Sequence, residues 1–182
     1  MPRVTPIKAK EDLPAEHQHV AEDVLKVFGS IRGPFSMLLH SPELAERMLQ
    51  LVTFNRDVSV VEGKLRSLAI LATVREREAA YVWSAQVGAA RRAGLREEAI
   101  DLLRAKGDVG KLAPEEQDIV TLARQLARTN KVEPAVFDRL KDKFGVKWLV
   151  ELTAAANYFG MLCGIVNTFE VPAPPDGDKL PG

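Results

Sequence analysis

Proline placement constrains the fold of this sequence more than any other feature. Of the 11 prolines, three lie in the first 14 residues and four in the last 12, and none lies between 43 and 113 or between 135 and 171. An internal proline costs a helix roughly 3 kcal/mol, so the long proline-free stretches favour helices and the proline-rich ends favour extended arms. We therefore predict an N-terminal arm at 1–13, one all-α domain at 14–170, and a C-terminal tail at 171–182 that is frayed or lies over a neighbour.

Composition agrees with a helical chain and excludes several classes of protein. Ala (22 residues) and Leu (21) are strong helix formers, and only 11 residues are aromatic. Since 25 Lys and Arg balance 25 Asp and Glu, a nucleic-acid partner is not expected. The single cysteine, Cys163, excludes a disulfide framework and a Cys-based zinc site within one chain. The N-terminus lacks the apolar core of a secretory signal, so a cytoplasmic location is the default expectation.

Apolar periodicity and helix-end residues predict seven or eight helices. Ser41 is placed to cap one helix, Pro42 suits its first turn, and Gly29, Gly94 and Gly145 follow the last periodic residue of others. The predicted helices cover about 14–28, 42–56, 60–75, 78–93, 96–107, 114–128, 134–144 and 147–167.

Two of these segments are apolar on nearly every side. Residues 152–166 predict a central core helix that contains Asn157 and is too short to cross a membrane, so we expect no membrane contact. Residues 79–90 mix small side chains with Tyr81, Trp83 and Gln86, and the three-residue spacing of the last two places them on one helix face. Two such helices are many for 182 residues, which predicts that other subunits cover part of their surface.

Several motifs, in order, resemble the carboxymuconolactone decarboxylase family. They are Arg66-Ser-Leu-Ala-Ile-Leu71, Tyr81-Val-Trp83-Ser-Ala-Gln86 and Ala93-Gly94-Leu95, with further matches from Gly33-Pro34-Phe35 to Asn167-Thr168-Phe169. The resemblance covers roughly 30–172. It implies a single-domain alkylhydroperoxidase D-like helical bundle that forms a trimer or hexamer. It also implies a small-molecule substrate, a lactone or unsaturated carboxylic acid from aromatic breakdown, and no cofactor.

The sequence departs from this family at its reactive positions. The peroxidase branch uses a Glu, two cysteines spaced C-x-x-C and a His, and by spacing from the Tyr-x-Trp anchor these places fall on Ser67, Ala79, Val82 and Gln86. None of the four can perform thiol exchange, and Cys163 lies in an apolar segment that favours an inert, protonated thiol. We therefore disfavour an alkylhydroperoxidase-type peroxidase.

Seven residues are candidates for a site. Tyr81, Gln86 and His40 are the candidate catalytic residues, as donors to a developing enolate and as a general base. The candidate substrate-binding residues are Arg66, Trp83, Ser67 and Tyr158, of which Arg66 could hold a carboxylate.

Each candidate also has a structural alternative. Arg66 could pair with Glu62, Gln86 could join two helices, and His40 could hydrogen-bond locally beside a helix cap. Trp83 and the tyrosines could be core residues.

Two functions from different classes remain. The first is a cofactor-independent, decarboxylase-like lyase, and no phosphate loop or metal motif argues for a nucleotide, flavin or metal. The second is a catalytically silent oligomer of the same fold that binds a ligand or acts as a scaffold.

Overall fold

The structure is a computed structural model that describes residues 1–181. Within those residues the chain forms nine α-helices and three short 3-10 turns (Lys10–Asp12, Ala15–His17 and Val109–Lys111), with no strand. The α-helices are α1 (Gln18–Phe28), α2 (Pro34–Leu38), α3 (Pro42–Asp57), α4 (Gly63–Glu76), α5 (Ala80–Arg92), α6 (Glu97–Arg104), α7 (Pro114–Thr129), α8 (Pro134–Phe144) and α9 (Val146–Thr168). The all-α prediction is confirmed.

Helix α4 lies at the centre of the bundle. Leu65 and every residue from Leu68 to Arg75 are buried, so two full turns have no solvent-facing side. Helices α5, α6, α7 and α9 all pack on it. Its two polar residues in this part, Thr73 and Arg75, are buried too, so no side faces water and other helices have to enclose it.

Helix α9 is the second core helix; it extends one residue beyond the predicted 147–167 at each end, and its 23 residues include the apolar segment 152–166. By length and composition it could cross a membrane, but half of its most apolar window is buried inside the bundle, as in the core helix of a soluble protein. One face remains exposed along its length. This face, which we call the α9 stripe, consists of Val146, Val150, Ala154, Asn157 and Met161.

Asn157 is the polar residue of that face. Its place in an apolar segment had suggested burial, but the side chain is not buried. Asn157 is exposed, and its Nδ2 donates to the carbonyl oxygen of Thr153 at 3.0 Å. It therefore needs no partner from another helix.

Several helix boundaries differ from the prediction by two to four residues, among them those of α1, α4, α5 and α6. Helix α2 was not predicted, because five residues are too few to show a period. Helix α1 begins at Gln18 instead of Pro14, since residues 15–17 form a 3-10 turn. Ser41 is the N-cap residue of α3, but its side chain makes no capping hydrogen bond. Gly29 and Gly145 do end helices, with φ values of 72° and 83°.

Both chain ends lie against the domain and not away from it. In the N-terminal arm, Leu13 is buried and the Ile7 amide donates to the carbonyl oxygen of Ser36 at 3.0 Å. The Arg3 guanidinium pairs with Glu170 at 2.6 Å, which joins the arm to the start of the tail. The tail packs on its own chain, because Asp178 pairs with arginines of α5 and α6.

The acidic turn between α4 and α5 joins helices as well. Glu76 is nearly buried and pairs with Arg124 and Arg128 of α7, the closer contact being 2.9 Å. Glu78 pairs with Arg75 and Lys106. These carboxylates have structural partners, so the turn is not merely a solvated charge run.

Candidate functional site

A cavity of about 750 Å³ lies between α4 and α5 and is the candidate site. Its remaining walls come from the end of α1, the α1–α2 loop, α2, α3, α9 and the tail. Its lining residues are Val27, Phe28, Ser30, Arg32, Pro34, Phe35, Val52, Asn55, Arg56, Gly63, Arg66, Ser67, Ile70, Tyr81, Val82, Ser84, Ala85, Gln86, Ala89, Arg92, Ala93, Phe159, Leu162 and Pro174. Its size is in the range of small-molecule sites.

Helical spacing explains which residues of α4 and α5 line the cavity. On α4 they are residues 63, 66, 67 and 70, which form one face at intervals of three and four. On α5 the stripe runs through residues 82, 86, 89 and 93 in the same way. Tyr81, at the N-terminal end of α5, reaches the cavity beside Gly33.

Guanidinium groups give the cavity a positive character. Arg32, Arg56, Arg66 and Arg92 line it, and none of its described lining residues is an Asp or Glu. The charge of Arg56 is compensated by Asp57, whose Oδ1 lies 2.8 Å from the Arg56 Nε. The other three have no carboxylate within 4.0 Å among residues 1–181.

Arg66 does not make the ion pair with Glu62 that was its structural alternative. Its Nη1 donates to the carbonyl oxygen of Val61 at 2.8 Å, which orients the guanidinium and leaves its other N–H groups free of partners in the described chain. Burial lowers the pKa of Arg66 from its usual value, while Asp57 acts in the opposite direction. A half-buried cation of this kind gains from binding an anion.

Tyr81 presents an uncommitted hydroxyl to the cavity. The side chain is 9% exposed, and its hydroxyl makes no hydrogen bond to any described residue. Burial raises the pKa of Tyr81, and the nearby Arg32 opposes the shift. The phenol therefore stays protonated at neutral pH and is available as a hydrogen-bond donor.

Neutral polar groups complete the lining. Gln86, Ser67 and the buried Asn55 face the cavity, and their side chains have no hydrogen-bond partner in the part of the chain that the structure describes. These polar groups face the cavity, so water or a ligand is their expected hydrogen-bond partner.

Three of the predicted site residues lie outside the cavity. Trp83 is fully buried, with the Arg104 guanidinium 5.8 Å from its ring centroid. Tyr158 donates its hydroxyl to the carbonyl oxygen of Met48 at 3.1 Å in the core. The exposed ring of His40 contacts the Thr5 carbonyl oxygen, with Nε2 at 3.0 Å. Trp83 and Tyr158 thus lie in the core, as their structural alternatives predicted, whereas the His40 ring contacts the N-terminal arm and, among the described residues, makes no local hydrogen bond beside the helix cap.

Trp83 and Gln86 do not share an environment, although their spacing had predicted a shared face. Trp83 belongs to the buried face of α5 together with Val87 and Ala90, whereas Gln86 belongs to the stripe that lines the cavity. A separation of three residues still turns the side chain by about 60° on a helix of 3.6 residues per turn, and the boundary between core and cavity falls within that angle.

The positions that hold reactive groups in the resembled family lie at or near this cavity. Ser67, Val82 and Gln86 line the cavity. Ala79, which precedes the first residue of α5, is fully buried and does not line it. Cys163 is fully buried in the main core, where burial raises the pKa of its thiol to about 12. Neither location provides the thiolate that disulfide exchange requires.

Several lining residues were not predicted from the sequence, most of them because they lie on other elements than α4 and α5. Arg32, Asn55, Arg92, Phe159 and Pro174 come from a loop, three helices and the tail. Arg92 could have been found, since it lies six residues after Gln86 at the end of the same helix. No periodic signal connects the other four to α5.

Comparisons with known proteins bear on the fold. No protein-family model matches the chain, and no curated protein sequence matches it significantly. An alkylhydroperoxidase AhpD core structure from Ralstonia eutropha JMP134, described as an uncharacterized peroxidase-related protein, has a TM-score of 0.74 at 16% identity over 95% of both chains.

Two further solved structures are similar. A protein of unknown function from Agrobacterium tumefaciens, a putative antioxidant defence protein AhpD, has a TM-score of 0.68 at 16% identity over 80% of this chain and 100% of that one. A cysteine-to-alanine variant of the debrominase Bmp8 in complex with 2,3,4-tribromopyrrole has a TM-score of 0.74 at 15% identity, over 96% of this chain and 95% of that one. At these identities the likeness concerns the fold alone, and it confirms the alkylhydroperoxidase D-like bundle.

Gly33 provides a test of how the cavity wall is built. Its φ is +60°, and a Cβ atom there would lie 2.2 Å from Cε1 of Tyr81. We expect Gly33→Ala to lower the free energy of unfolding by about 3 kcal/mol, because it combines backbone strain with displacement of the Tyr81 ring. Urea unfolding measures the change.

Gly94→Ala is the matched control. Gly94 has a φ of +82° with nothing within 4 Å of the added atom, so this variant should lose only the strain, about 1 kcal/mol. Equal losses in the two variants would contradict the close contact between Gly33 and Tyr81.

Proposed function

We propose that the protein is a cofactor-independent, carboxymuconolactone decarboxylase-like enzyme that acts on a small unsaturated carboxylic acid or lactone. The observation that carries this proposal is the set of three cavity arginines, Arg32, Arg66 and Arg92, without a carboxylate partner in the described chain. An apolar cavity with uncompensated guanidinium groups selects a ligand that has an apolar body and at least one carboxylate.

The proposed chemistry uses charge stabilisation by groups that are protonated at neutral pH. Arg66 holds a carboxylate and orients the substrate. When the bond to a second carboxyl group breaks, carbon dioxide leaves and the electron pair moves into the conjugated system as an enolate. The Tyr81 phenol and the Gln86 amide donate hydrogen bonds to that oxyanion, and the phenol delivers a proton to carbon before solvent reprotonates it.

The similar structures give this proposal limited support. The debrominase structure holds a small halogenated aromatic molecule, so a bundle of this fold accommodates a ligand of the proposed size class. The peroxidase-related structure suggests a different chemistry. The positions Ala79 and Val82 and the buried Cys163 argue against thiol-based peroxide reduction in this chain.

One observation favours a second function, a binding protein without catalysis. The described cavity lining contains no Asp, Glu, His, Cys or Lys, so Tyr81 is the single side chain in it that can readily exchange a proton. If Tyr81 acts only as a hydrogen-bond donor, the cavity would bind the same class of carboxylate and release it unchanged.

We also propose that the protein is a homo-oligomer, with the α9 stripe as a contact between subunits. Val146 and Val150 are more than 60% exposed, and the nearby loop adds the exposed Val58 and Val60, the latter placed beside α9 by the bond from its amide to Glu151. Such apolar exposure along a 23-residue helix is typical of a protein contact surface.

The oligomer proposal is tested by one substitution. Val150→Glu places a charge in the middle of the α9 stripe and should reduce the sedimentation mass, with the circular dichroism spectrum unchanged, since Val150 touches little within its own chain. Lys131→Glu, at an exposed position between α7 and α8 with no ion pair in the described chain, is the control. A wild-type protein that sediments as a monomer would overturn the proposal.

Arg66→Gln tests carboxylate binding. We expect it to weaken binding of carboxylated unsaturated lactones by about 2 kcal/mol, roughly thirtyfold in Kd, because it removes a charge-assisted hydrogen bond. The corresponding methyl esters should bind both proteins equally. Calorimetry provides the affinities, and Arg47→Gln on the surface is the control. Unchanged affinity for the acids would refute the assigned role.

The pH dependence of turnover tests Tyr81. Because burial raises its pKa above 10, the protonated donor form, and with it kcat, should persist to about pH 10 and fall only at higher pH. Tyr81→Phe should lower kcat about 100-fold with little change in substrate affinity. A fall of kcat on the acid side of neutral pH would instead indicate that a group other than Tyr81 transfers the proton.

Stability must be followed in the same titration. Burial raises the pKa values of both Tyr81 and Tyr158 in the folded state. Stability is therefore complete below the unfolded tyrosine pKa and is lost as pH rises towards the folded values. Only rates measured where the circular dichroism spectrum is unchanged report catalysis, and ligand binding without any product would favour the silent binding protein.

A further inference from the structure

The C-terminal tail, residues 171–181, folds back and forms part of the cavity wall. The chain leaves α9 through Glu170, whose φ is +52°, and the Val171 amide donates to the carbonyl oxygen of Val166 at 2.9 Å. Pro174 then lines the cavity, and Leu180 packs against the main core. A ligand in the cavity would therefore lie against the tail.

The tail touches α5 at a residue that itself lines the cavity. A Cβ atom on Gly177 would lie 1.7 Å from Oγ and 3.0 Å from Cβ of Ser84. No side chain fits between the tail and α5 at this point unless Ser84 moves. The glycine thus permits a direct contact between the tail backbone and the helix.

An ionic cluster holds the tail beyond this contact. Asp178 receives two hydrogen bonds from Arg91, at 2.7 and 3.1 Å, and one from Arg104 at 3.3 Å. Arg91 also pairs with Glu97, and Arg104 with Asp101, so both guanidinium groups keep a partner when the tail moves away. The opened state leaves no isolated charge on the helices.

The attachment is weak enough to be reversible. Arg91 and Asp178 keep 42% and 25% of their side-chain surface exposed, and ion pairs of that exposure contribute little and are screened by salt. Residues 172–181 form no helix or strand, and their backbone makes a single hydrogen bond among the described residues, from Gly177 to Pro174. Segments with few such restraints open locally.

We infer that residues 171–181 form a strap that closes the cavity and that opens at Asp178 to admit and release the ligand. The identity of the ligand that enters rests on the proposed function, but the opening of the strap does not. With Pro174 in the wall, the strap also limits the length of ligand that the closed cavity holds.

Opening is measured first without any ligand. In a Ser84→Cys variant, the introduced thiol lies under the strap, while the native Cys163 is fully buried with its pKa raised to about 12 and stays unreactive. Adding Asp178→Asn should raise the rate of alkylation by iodoacetamide about fivefold, because it removes the exposed ion pairs with Arg91 and Arg104. Added salt should accelerate alkylation only when Asp178 is present.

Asp101→Asn is the matched control, because it removes another carboxylate from Arg104 without touching the tail. It should leave the alkylation rate of Ser84→Cys unchanged. Equal alkylation rates with and without Asp178, at every salt concentration, would overturn the strap.

A disulfide then tests whether the strap controls access. The 3.0 Å between the Cβ of Ser84 and a Cβ on Gly177 is slightly below the span of a disulfide, so Ser84→Cys with Gly177→Cys can be joined after a small shift. The probe is anilinonaphthalene sulfonate, an aromatic anion that fluoresces in apolar sites. Oxidation should slow its association at least about tenfold, and reduction should restore the rate.

The outcomes separate the two proposals. Equal association rates for the oxidised and reduced forms would show that the strap does not gate the cavity. Failure of the wild-type protein to bind the probe or any carboxylated lactone would count against the proposed function, while the alkylation rates would still decide whether the strap opens.

Discussion

The complete burial of α4 is the constraint on which the rest of the structure depends. From Leu68 to Arg75 this helix has no face that tolerates water, so other helices have to surround it. Only its first turns, around Gly63, Arg66 and Ser67, are half-buried, and the cavity lies against them. The site is therefore the place where enclosure of the central helix is incomplete.

The ligand preference of the site follows from the charged side chains that line the cavity. Arg32 and Arg92 border the cavity while exposed to solvent, whereas Arg66 is half-buried, and none of the three has a carboxylate within 4.0 Å in the described chain. Because Arg66 is partly desolvated, an anion bound in the cavity would compensate its charge. The absence of a thiol or imidazole from the described lining directs attention to Tyr81, whose phenol combines donor ability with proton exchange.

Much of the fold was predictable because its signals are local. Long periodic segments and glycines such as Gly29 and Gly145 predicted most helices, and family-like motifs predicted the architecture. Helix α2 escaped because five residues show no period. Tyr81, Gln86, Arg66 and Ser67 were candidates from one short stretch, and all four line the cavity. The remaining lining residues were not predictable, since Arg32 and Asn55 reach the cavity only through tertiary packing.

The position of Trp83 has an optical consequence. Its indole is fully buried, its Nε1 has no hydrogen-bond partner within residues 1–181, and the guanidinium over it, from Arg104, is one that Asp178 contacts. A positive charge close to an indole shifts the wavelength of its fluorescence maximum, so a rearrangement around Arg104 changes the emission wavelength of Trp83. With Trp148 stacked on Phe144 as a steady background, the protein carries its own fluorophore for following the far end of the chain in real time.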